Sequence, residues 1–583
     1  MLKLLLGGSG SGKTTLLYQR IRARAEAGEK SILLVPEQFT SSTEGRIHRE
    51  MGDALSGLVE SFSFTSLAEH ILSAEGGSAV QTLSDAGRAV LVRRALEELQ
   101  DNVHYYYRHR RSAAFCQMAA ETIDELKSAG LSGQQLYELA QDCGTDSAKL
   151  SELALIFQGY ETLLAGTGMD PSDRLELAAS RLEAALARGE LPEFLRDRAV
   201  FIDEFDTFNA PKKRLMGALL ASLPTVTVAL CDDGTPLVPG DMSLFSGAKQ
   251  VAAQLRQLAR KNGAEVAVPQ LLRKDLRHRN APGLAAVAEL LETGSCTADT
   301  PAGEVRLFAA PSREEEARAA AGAIRRLMRQ GVRCGKIAVV CRDIAKYRAA
   351  VRYEFRMAEI PLYCDEPTTP EFSAPATAVR ALLEIARGAD LTENLTTLAK
   401  TGLCALSEEQ VCALENYAYT WAPTAAAWRE KFERSPKGFG EQELTEEDLR
   451  NRERAEHARA LLVGAVDAFR AKVRGVNAEA ISRAVYFCLK TLGAEEQQAA
   501  QVKAIRAGRG IPAAEEAARE WNVVMGLLNE MAHLLGKQTV TVAEYEDLFG
   551  LLLRSSDLGH IPQTLDAVVL ASAGKMRLDA PDY

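Results

Sequence analysis

Short apolar runs alternate with amphipathic helical patterns in two parts of the chain. In the first part the runs are Leu2 to Leu6, Ser31 to Val35, Ala199 to Ile202 and Thr225 to Leu230. In the second part they are EVRLFAA from Glu304, KIAVVCRD and, much later, TLDAVVLAS. Continuous apolar runs of this length are typical of strands buried on both faces of a parallel sheet. The pattern therefore predicts an α/β fold with two parallel-sheet domains.

Two long stretches lack strand patterns and show only the helical repeat of apolar positions. We predict that each is a mainly helical insertion into one of the α/β domains. The predicted layout is a first domain of residues 1–82 and 192–300, an insertion of 83–191, a second domain of 301–370 and 561–583, and an insertion of 371–560. A strand that begins near Val568 leaves little chain after it, so we expect the second sheet to be incomplete and the chain to be a fragment of a longer protein.

Composition and charge limit the class of protein. With 583 residues, of which 46% are hydrophobic and 25% charged, the chain suits a soluble protein of about three or four domains. Its net charge of −10 gives no support to nucleic-acid binding through bulk charge. The ten cysteines and eight histidines follow no metal-ligand or nucleophile spacing, so we expect reduced thiols and no zinc site. No apolar segment is long enough to span a bilayer, and we expect a cytoplasmic protein without membrane association.

The first apolar run leads into the sequence GGSGSGKTT, which fits the phosphate-loop pattern. Glycines let the backbone turn so that successive N–H groups surround phosphate oxygens, and the helix that follows adds positive potential at its N-terminus. In this pattern Lys13 neutralises the β and γ phosphates and Thr14 binds Mg²⁺. We predict ATP and Mg²⁺ as cofactors, bound by Gly7, Gly8, Ser9, Gly10, Ser11, Gly12, Lys13, Thr14 and Thr15.

A pair of acidic residues, Asp203 and Glu204, follows the third apolar run. This is where a second nucleotide motif places an aspartate on Mg²⁺ and a glutamate that activates the attacking water. A solvated strand end would also carry acidic residues, but the phosphate loop at the start of the same α/β pattern favours the functional interpretation. We therefore predict Lys13, Asp203 and Glu204 as catalytic residues, and Thr14 and Asp203 as metal ligands.

Several strings of residues resemble a known family. Two tandem α/β units with helical insertions and one phosphate loop resemble the superfamily 1 DNA helicases of the UvrD and Rep type. LLVPEQFTSSTE, SFSFTSLAEHIL, VFIDEFDTFNAPKKRLM and IAVVCRDIAKYRAAVRYEFRMAEIPLYCDE narrow the resemblance to the N-terminal half of AddB. This implies two RecA-like domains, DNA as a ligand, and an AddA-type helicase/nuclease partner in a heterodimer that processes DNA ends. It also implies a C-terminal nuclease with an iron-sulfur cluster, and we expect that cluster only in a region outside this chain.

Two departures from motor helicases stand out. A motor carries a glutamine that senses the γ-phosphate after the strand that follows the acidic motif, whereas this chain has Asp232 and Asp233 in ALCDDGTPL. Only fragments of the later T-x-H-x-x-K-G-L-E motif survive in ASAGKMRL, and the arginine finger is expected beyond Tyr583. The resemblance therefore implies an ATP-binding subunit that is a weak or inactive motor and scans DNA for a hotspot sequence.

Candidate DNA contacts come from loops and from one aromatic and basic stretch. Phe39-Thr40 and Ser63-Phe64-Thr65-Ser66 lie where superfamily 1 helicases place loops against single-stranded DNA, and we favour DNA contact over loop capping for these residues. HYYYRHRR, from His104 to Arg111, combines tyrosines with arginines, but a helix connection with arginines lying along the surface is the stronger interpretation. Arg277 and Arg279 fit a solvated charge run better than a phosphate contact, and Arg342 is a candidate for the cleft between the domains.

Three other functions remain open at this point. One is an active superfamily 1 motor, and another is a non-enzymatic DNA-binding scaffold with ATP as a structural ligand. A third is a small-molecule kinase, which explains the phosphate loop but not the second α/β unit.

Overall fold

The computed structural model describes residues 1–76, 82–110, 112–295, 303–364, 369–440, 443–536, 539–558 and 566–573. Its strands are β1 (Leu2–Gly7), β2 (Ser31–Leu34), β3 (Val59–Phe62), β4 (Ala199–Ile202), β5 (Val226–Cys231), β6 (Gln270–Leu272), β7 (Ala338–Cys341), β8 (Leu362–Cys364) and β9 (Val568–Ser572).

Helices make up most of the remaining structure. Those up to residue 293 are α1 (Lys13–Glu26), α2 (Thr40–Met51), α3 (Asp53–Ser56), α4 (Phe64–Ala74), α5 (Asp85–Glu98), α6 (Ala113–Ala129), α7 (Gly133–Ala140), α8 (Ser147–Thr167), α9 (Pro171–Ala187), α10 (Ala210–Ser222), α11 (Ser246–Lys261) and α12 (Pro282–Thr293). Those that follow are α13 (Arg313–Arg329), α14 (Ile344–Met357), α15 (Ala374–Arg387), α16 (Leu391–Lys400), α17 (Glu408–Trp421), α18 (Glu446–Lys472), α19 (Ala478–Thr491), α20 (Ala494–Arg509), α21 (Ile511–Leu535) and α22 (Val542–Ser555).

The described residues form two compact units. One comprises residues 1–83, 92–111 and 115–307, and the other comprises 84–91, 112–114 and 308–583. The α/β class predicted from the apolar runs is confirmed, since each unit contains a parallel sheet.

The first unit is built on a six-stranded sheet in the order β3-β2-β4-β5-β1-β6, and every pairing in it is parallel. Alternate residues of the strands enter two separate cores. Leu4, Ile32 and Val200 face one core with helices α4, α9, α10 and α11. Leu5, Leu33 and Phe201 face the other with α1, α2 and α3. Because both faces are covered, these strands are apolar throughout, which explains the continuous runs in the sequence.

The second unit contains a three-stranded parallel sheet in the order β7-β9-β8. Val568 and Leu570 of β9 pack with apolar residues of α13 and α14, among them Ile324 and Phe355. Helices α15 to α22 occupy most of residues 374–555, as the helical pattern of that stretch predicts.

Strand predictions differ from the structure in three places. EVRLFAA was predicted as a strand, but residues 305–310 have no regular structure and Leu307 is fully exposed. No strand of the described chain pairs with this segment, so its apolar residues are not buried in a sheet. Strands β6 and β8 have three residues each, and such short segments give no pattern from which to predict them. The boundaries of β1, β2, β4 and β5 agree with the apolar runs to within one residue, whereas β7 and β9 are shorter than the runs KIAVVCRD and TLDAVVLAS that predicted them.

Candidate nucleotide-binding and DNA-binding site

The phosphate loop connects β1 to α1. The strand ends at Gly7 and the helix begins at Lys13, with Gly12 as its N-cap residue. Gly10 and Gly12 have φ values of +76° and +87°, a backbone region that favours glycine. No side chain caps the N-terminus of α1 and its first turn carries no acidic residue. The N–H groups of that turn are therefore available to an anion.

Lys13 lies inside the loop. Its Nζ donates hydrogen bonds to the carbonyl oxygens of Gly7 and Gly8, both at 2.8 Å, and its side chain is 9% exposed. Ser11 of the same loop is also buried, and its Oγ has no hydrogen-bond partner among the described residues. The loop thus holds a positive charge close to a buried polar atom whose hydrogen bonding is incomplete.

Asp203 and Glu204 follow β4. Asp203 is 3% exposed, its N–H donates to the carbonyl oxygen of Leu34 at 3.1 Å, and its Oδ1 accepts the N–H of Glu204 at 3.0 Å. Its Oδ2 is buried without a hydrogen-bond partner in the described part of the chain. Glu204 has a φ of +73°, which is uncommon outside glycine and marks strained backbone at a strand end.

Sheet order brings the phosphate loop and the acidic pair to one edge. Strand β5 alone separates β4 from β1, so their carboxyl ends lie about 10 Å apart at the usual spacing of strands. The chain connections change direction across the sheet at this edge. From β1 the chain passes through α1 to β2, which lies beyond β4, whereas from β4 it passes through α10 to β5, which lies on the side of β1. Ligands of open α/β sheets bind at such switch points.

The residues at this edge fit a magnesium triphosphate. Two buried oxygens without partners among the described residues, Ser11 Oγ and Asp203 Oδ2, lie at an edge that also holds the ammonium of Lys13. Leaving a buried polar atom unbonded is unfavourable by about 1 to 3 kcal/mol, and a hydrated cation with its phosphates would supply the missing interactions.

A segment without a distinctive sequence pattern lies against the phosphate loop. The Leu276 N–H donates to the carbonyl oxygen of Gly10 at 3.0 Å, and Arg277 Nη1 lies 3.5 Å from Ser9 Oγ. A Cβ at residue 10 would lie 2.7 Å from the Cβ of Arg277, so the contact requires glycine. The sequence predicted only a solvated run of charges at Arg277 and did not predict this contact. The contact depends on β6, which aligns the segment beside β1 but is too short to have a recognisable sequence pattern.

Carboxylates hold this segment in place and also approach the loop. Asp275 Oδ1 accepts the backbone N–H of Arg277 and of His278, at 3.0 and 3.1 Å. Burial raises the pKa of Asp275, but its hydrogen bonds to His278 and Arg277 outweigh burial, so the pKa is lowered and the carboxylate stays ionised. A Cβ at Gly8 would lie 3.1 Å from Glu292 Oε1, so a second carboxylate lies near the loop.

The loop after β5 is where the resemblance to motor helicases implies a phosphate sensor. Asp232 Oδ1 accepts the Gly234 N–H at 2.7 Å, and Asp233 lies 3.3 Å from the ammonium of Lys249. Lys249 also contacts Asp241 at 3.2 Å, which fixes the loop against α11. An ionised carboxylate has no proton to donate to a phosphate, unlike the amide of glutamine.

Some of the predicted DNA-contact residues are used in the core or in a helix cap, and others are partly exposed. Phe64 is 2% exposed and belongs to the core, while Ser63 and Ser66 cap α4 through reciprocal hydrogen bonds. Their hydroxyls therefore already stabilise the helix N-terminus. Thr65 is partly exposed in the first turn of α4. Phe39 and Thr40 are also partly exposed after β2, and Thr40 Oγ1 donates to the carbonyl oxygen of Glu37 at 2.9 Å.

The tyrosine and arginine stretch is a turn organised by one carboxylate. Glu152 accepts the backbone N–H groups of His104, Tyr105 and Tyr106 at 2.8 to 3.2 Å. The Tyr106 ring stacks on Phe115, and the guanidinium of Arg110 lies 3.9 Å from the centre of the Tyr107 ring. Arg111 lies outside the described residues.

Arg342 belongs to the second unit, directly after β7. Its side chain is exposed, and its carbonyl oxygen accepts the hydroxyl of Ser572 at 3.4 Å. Its place in a cleft between domains stays a prediction. Of the motif fragment ASAGKMRL, residues 574–578 lie outside the described part of the chain.

Comparisons with known proteins identify relatives of the chain. Residues 4–288 match the profile of a family described as ADDB, N-terminal. The matched segment covers just under half of the chain. This segment includes every strand of the first sheet except the first two residues of β1, and the resemblance to AddB predicted from the sequence is confirmed.

Curated relatives extend the similarity to the rest of the chain. Over 99% of its length the chain is 30% identical to a protein of Moorella thermoacetica that is named as a subunit of the ATP-dependent helicase/deoxyribonuclease, and it covers 51% of that protein. The values are the same for the protein of that name from Desulforudis audaxviator. The protein of that name from Clostridium perfringens is 25% identical, with 99% of the chain and 50% of the relative covered. The chain spans about half the length of the curated relatives it matches.

Two other kinds of site are absent from the described residues. Across these residues no group of three or more His, Cys, Asp and Glu side chains has an arrangement that could hold a metal ion. Within the same part of the chain, every helix is too short or too polar to cross a bilayer.

Proposed function

We propose that the chain is the ATP-binding and DNA-binding part of an AddB-type subunit, acting on the ends of broken DNA in recombinational repair. The observation that carries the nucleotide part is the carboxyl edge of the first sheet, which holds both Lys13 and two buried oxygens without partners in the described chain. The curated relatives are named as subunits of an ATP-dependent helicase/deoxyribonuclease, which supports the DNA part.

Each residue of the edge has a distinct role in this proposal. The backbone of Gly7 to Gly12, Lys13 and the first N–H groups of α1 would bind the phosphates, with Arg277 as a further cation beside Ser9. Thr14 and Asp203 would hold Mg²⁺, and Glu204 would orient and deprotonate a water. Bound there, the magnesium triphosphate would supply a phosphoanhydride bond that can be cleaved.

We also propose that this subunit is a weak or inactive motor that scans DNA for a hotspot sequence. Asp232 and Asp233 support this proposal, since their carboxylates bond to the loop and to Lys249 where a motor carries a donor to the γ-phosphate. In this proposal an AddA-type partner supplies the motor and one nuclease. A second nuclease would belong to the AddB-type subunit itself, in the half of the relatives' length that this chain does not match.

Nucleotide binding and turnover test the two parts separately. Thr14→Ala should weaken magnesium-dependent ATP binding by about 10-fold, because one metal ligand is lost. Thr162→Ala removes an equivalent hydroxyl from the surface of α8 and should leave ATP binding unchanged. Equal affinities of Thr14→Ala and wild type would contradict the proposed site.

The weak-motor proposal predicts little ATP turnover with or without single-stranded DNA. Strong DNA-stimulated turnover by the chain would instead identify an active motor. Co-purification of the full-length parent with an AddA-like subunit, together with nuclease activity on linear duplex ends, tests the proposed partnership.

A further inference from the structure

Lys212 is a half-buried cation at the carboxyl edge of the first sheet, away from the phosphate loop. It is the third residue of α10, and its backbone N–H donates to the N-cap side chain of Asn209 at 3.1 Å. Its ammonium lies 5.8 Å from the ring centre of Phe64 and 5.6 Å from that of Phe205. Both rings are buried, so Lys212 covers the outer side of an aromatic cluster.

The ammonium of Lys212 has no hydrogen-bond or ion-pair partner among the described residues. Burial lowers its pKa, and the negative charge of Glu37 offsets only part of that effect. A cation near two rings is stabilised by the rings, but less than by a close carboxylate in a half-buried place. The arrangement is therefore incomplete without an anion.

The position of Lys212 in the sheet separates it from the nucleotide. Phe64, Phe205 and Glu37 follow β3, β4 and β2, which are neighbours at one side of the sheet. The phosphate loop follows β1, which lies about 10 Å from β4 and about 14 Å from β2. A triphosphate on Lys13 would thus leave Lys212 available to a different anion along the same edge.

We propose that Lys212 binds a backbone phosphate of single-stranded DNA. This inference rests on the DNA-binding part of the proposed function and assigns to it a residue outside the predicted contact loops. The aromatic rings under Lys212 are buried, so they are not available to stack on bases. The proposed contact therefore depends on the phosphate charge and not on the base sequence. Phe39 and Thr40, partly exposed after β2, lie at the end of the same group of strands.

The test compares Lys212→Met with Lys213→Met in the full chain, using fluorescence anisotropy of labelled single-stranded oligonucleotides. Lys212→Met should weaken DNA binding about 5-fold to 10-fold. The slope of log affinity against log salt concentration should become shallower by about 0.7, the value for one phosphate contact on a single strand. Two oligonucleotides of different sequence should show the same loss. Lys213→Met removes the same charge one residue further along α10 and should change affinity less than about 2-fold. Lys212→Arg keeps the charge and should restore most of the binding.

Two further measurements separate this role from a structural one. Methionine replaces a half-buried ammonium with an apolar group of similar length, so Lys212→Met should unfold at the same or a higher temperature than wild type. Its ATP affinity should also be unchanged. A variant that loses stability in proportion to DNA affinity would overturn the proposal, and so would wild-type affinity and salt dependence in Lys212→Met. Wild-type chain that binds no oligonucleotide would overturn DNA binding itself, which is a different result.

Discussion

The two parallel sheets share a construction and differ at their carboxyl edges. In both, strands place apolar residues against helices, as Leu4 does in β1 and Leu570 does in β9. At the first edge, buried oxygens of Ser11 and Asp203 lack partners in the described chain. At the second edge, the Ser572 hydroxyl donates to the carbonyl oxygen of Arg342. Unpaired buried groups indicate where a ligand is needed, so the comparison favours the first sheet for the proposed nucleotide site.

Replacing the phosphate-loop lysine should have the largest effect on this comparison. Lys13→Met should weaken ATP binding by about 100-fold, because the charge-assisted contact to the phosphates is lost. Titration calorimetry measures the affinity, and Lys261→Met at the exposed end of α11 serves as the control. ATP binding retained by Lys13→Met would show that the nucleotide binds elsewhere.

The buried carboxylate should show opposite effects on binding and stability. Asp203→Asn keeps an oxygen for the Glu204 N–H and removes a buried charge. We expect a melting temperature equal to or above that of wild type, with ATP affinity in Mg²⁺ lowered by about 10-fold and affinity in EDTA unchanged. Loss of stability without loss of magnesium dependence would make Asp203 a structural residue.

The serines of α4 separate helix capping from DNA contact. Ser63→Ala should destabilise the fold by about 1 kcal/mol, since its hydroxyl accepts the Ser66 N–H at 3.0 Å. Chemical denaturation measures this effect, and oligonucleotide affinity should change less than about 2-fold. A larger loss of DNA affinity at unchanged stability would show that the hydroxyl contacts DNA.

A buried charge cluster away from the edge predicts a dependence of stability on pH. Burial raises the pKa of Asp173 to about 6, helped by the charge of Asp170 and opposed by Lys127. An unfolded aspartate titrates near pH ~3.9, so the folded state gains stability from Asp173 below that pH and loses it as pH rises through about 6. Asp173→Asn should therefore melt above wild type at pH ~8 and close to it at pH ~4. Asp142→Asn, at an exposed position, is the control. A difference in melting temperature between Asp173→Asn and wild type that stays constant with pH would contradict the raised pKa of Asp173.

The second sheet should show the smallest response. Arg342→Met should change ATP affinity less than about 2-fold, because Arg342 is exposed at an edge without unpaired buried groups among the described residues. Calorimetry under the conditions used for Lys13→Met makes the two edges directly comparable. A loss of about 10-fold or more would place Arg342 at the nucleotide, as the predicted cleft between domains requires.

Sequence alone was sufficient where local pattern and buried environment agree. The apolar runs of β1, β2, β4 and β5 predicted their strands because a strand covered on both faces has no polar positions. The glycines of the phosphate loop and the acidic pair after β4 were recognisable because each needs particular residue types at fixed spacing. From these the α/β class and a candidate nucleotide site followed.

Tertiary structure alone decided which side chains meet across the sheet. Arg277 reaches Ser9, 268 residues away in the chain, because β6 pairs with β1, and a three-residue strand leaves no periodic signal. Lys212 lies over Phe64 and Phe205 because the order of strands brings the ends of β3 and β4 to one place. Local pattern determines which segments become strands, whereas the packing of distant segments determines which charged side chains come together at the edge where a ligand would bind.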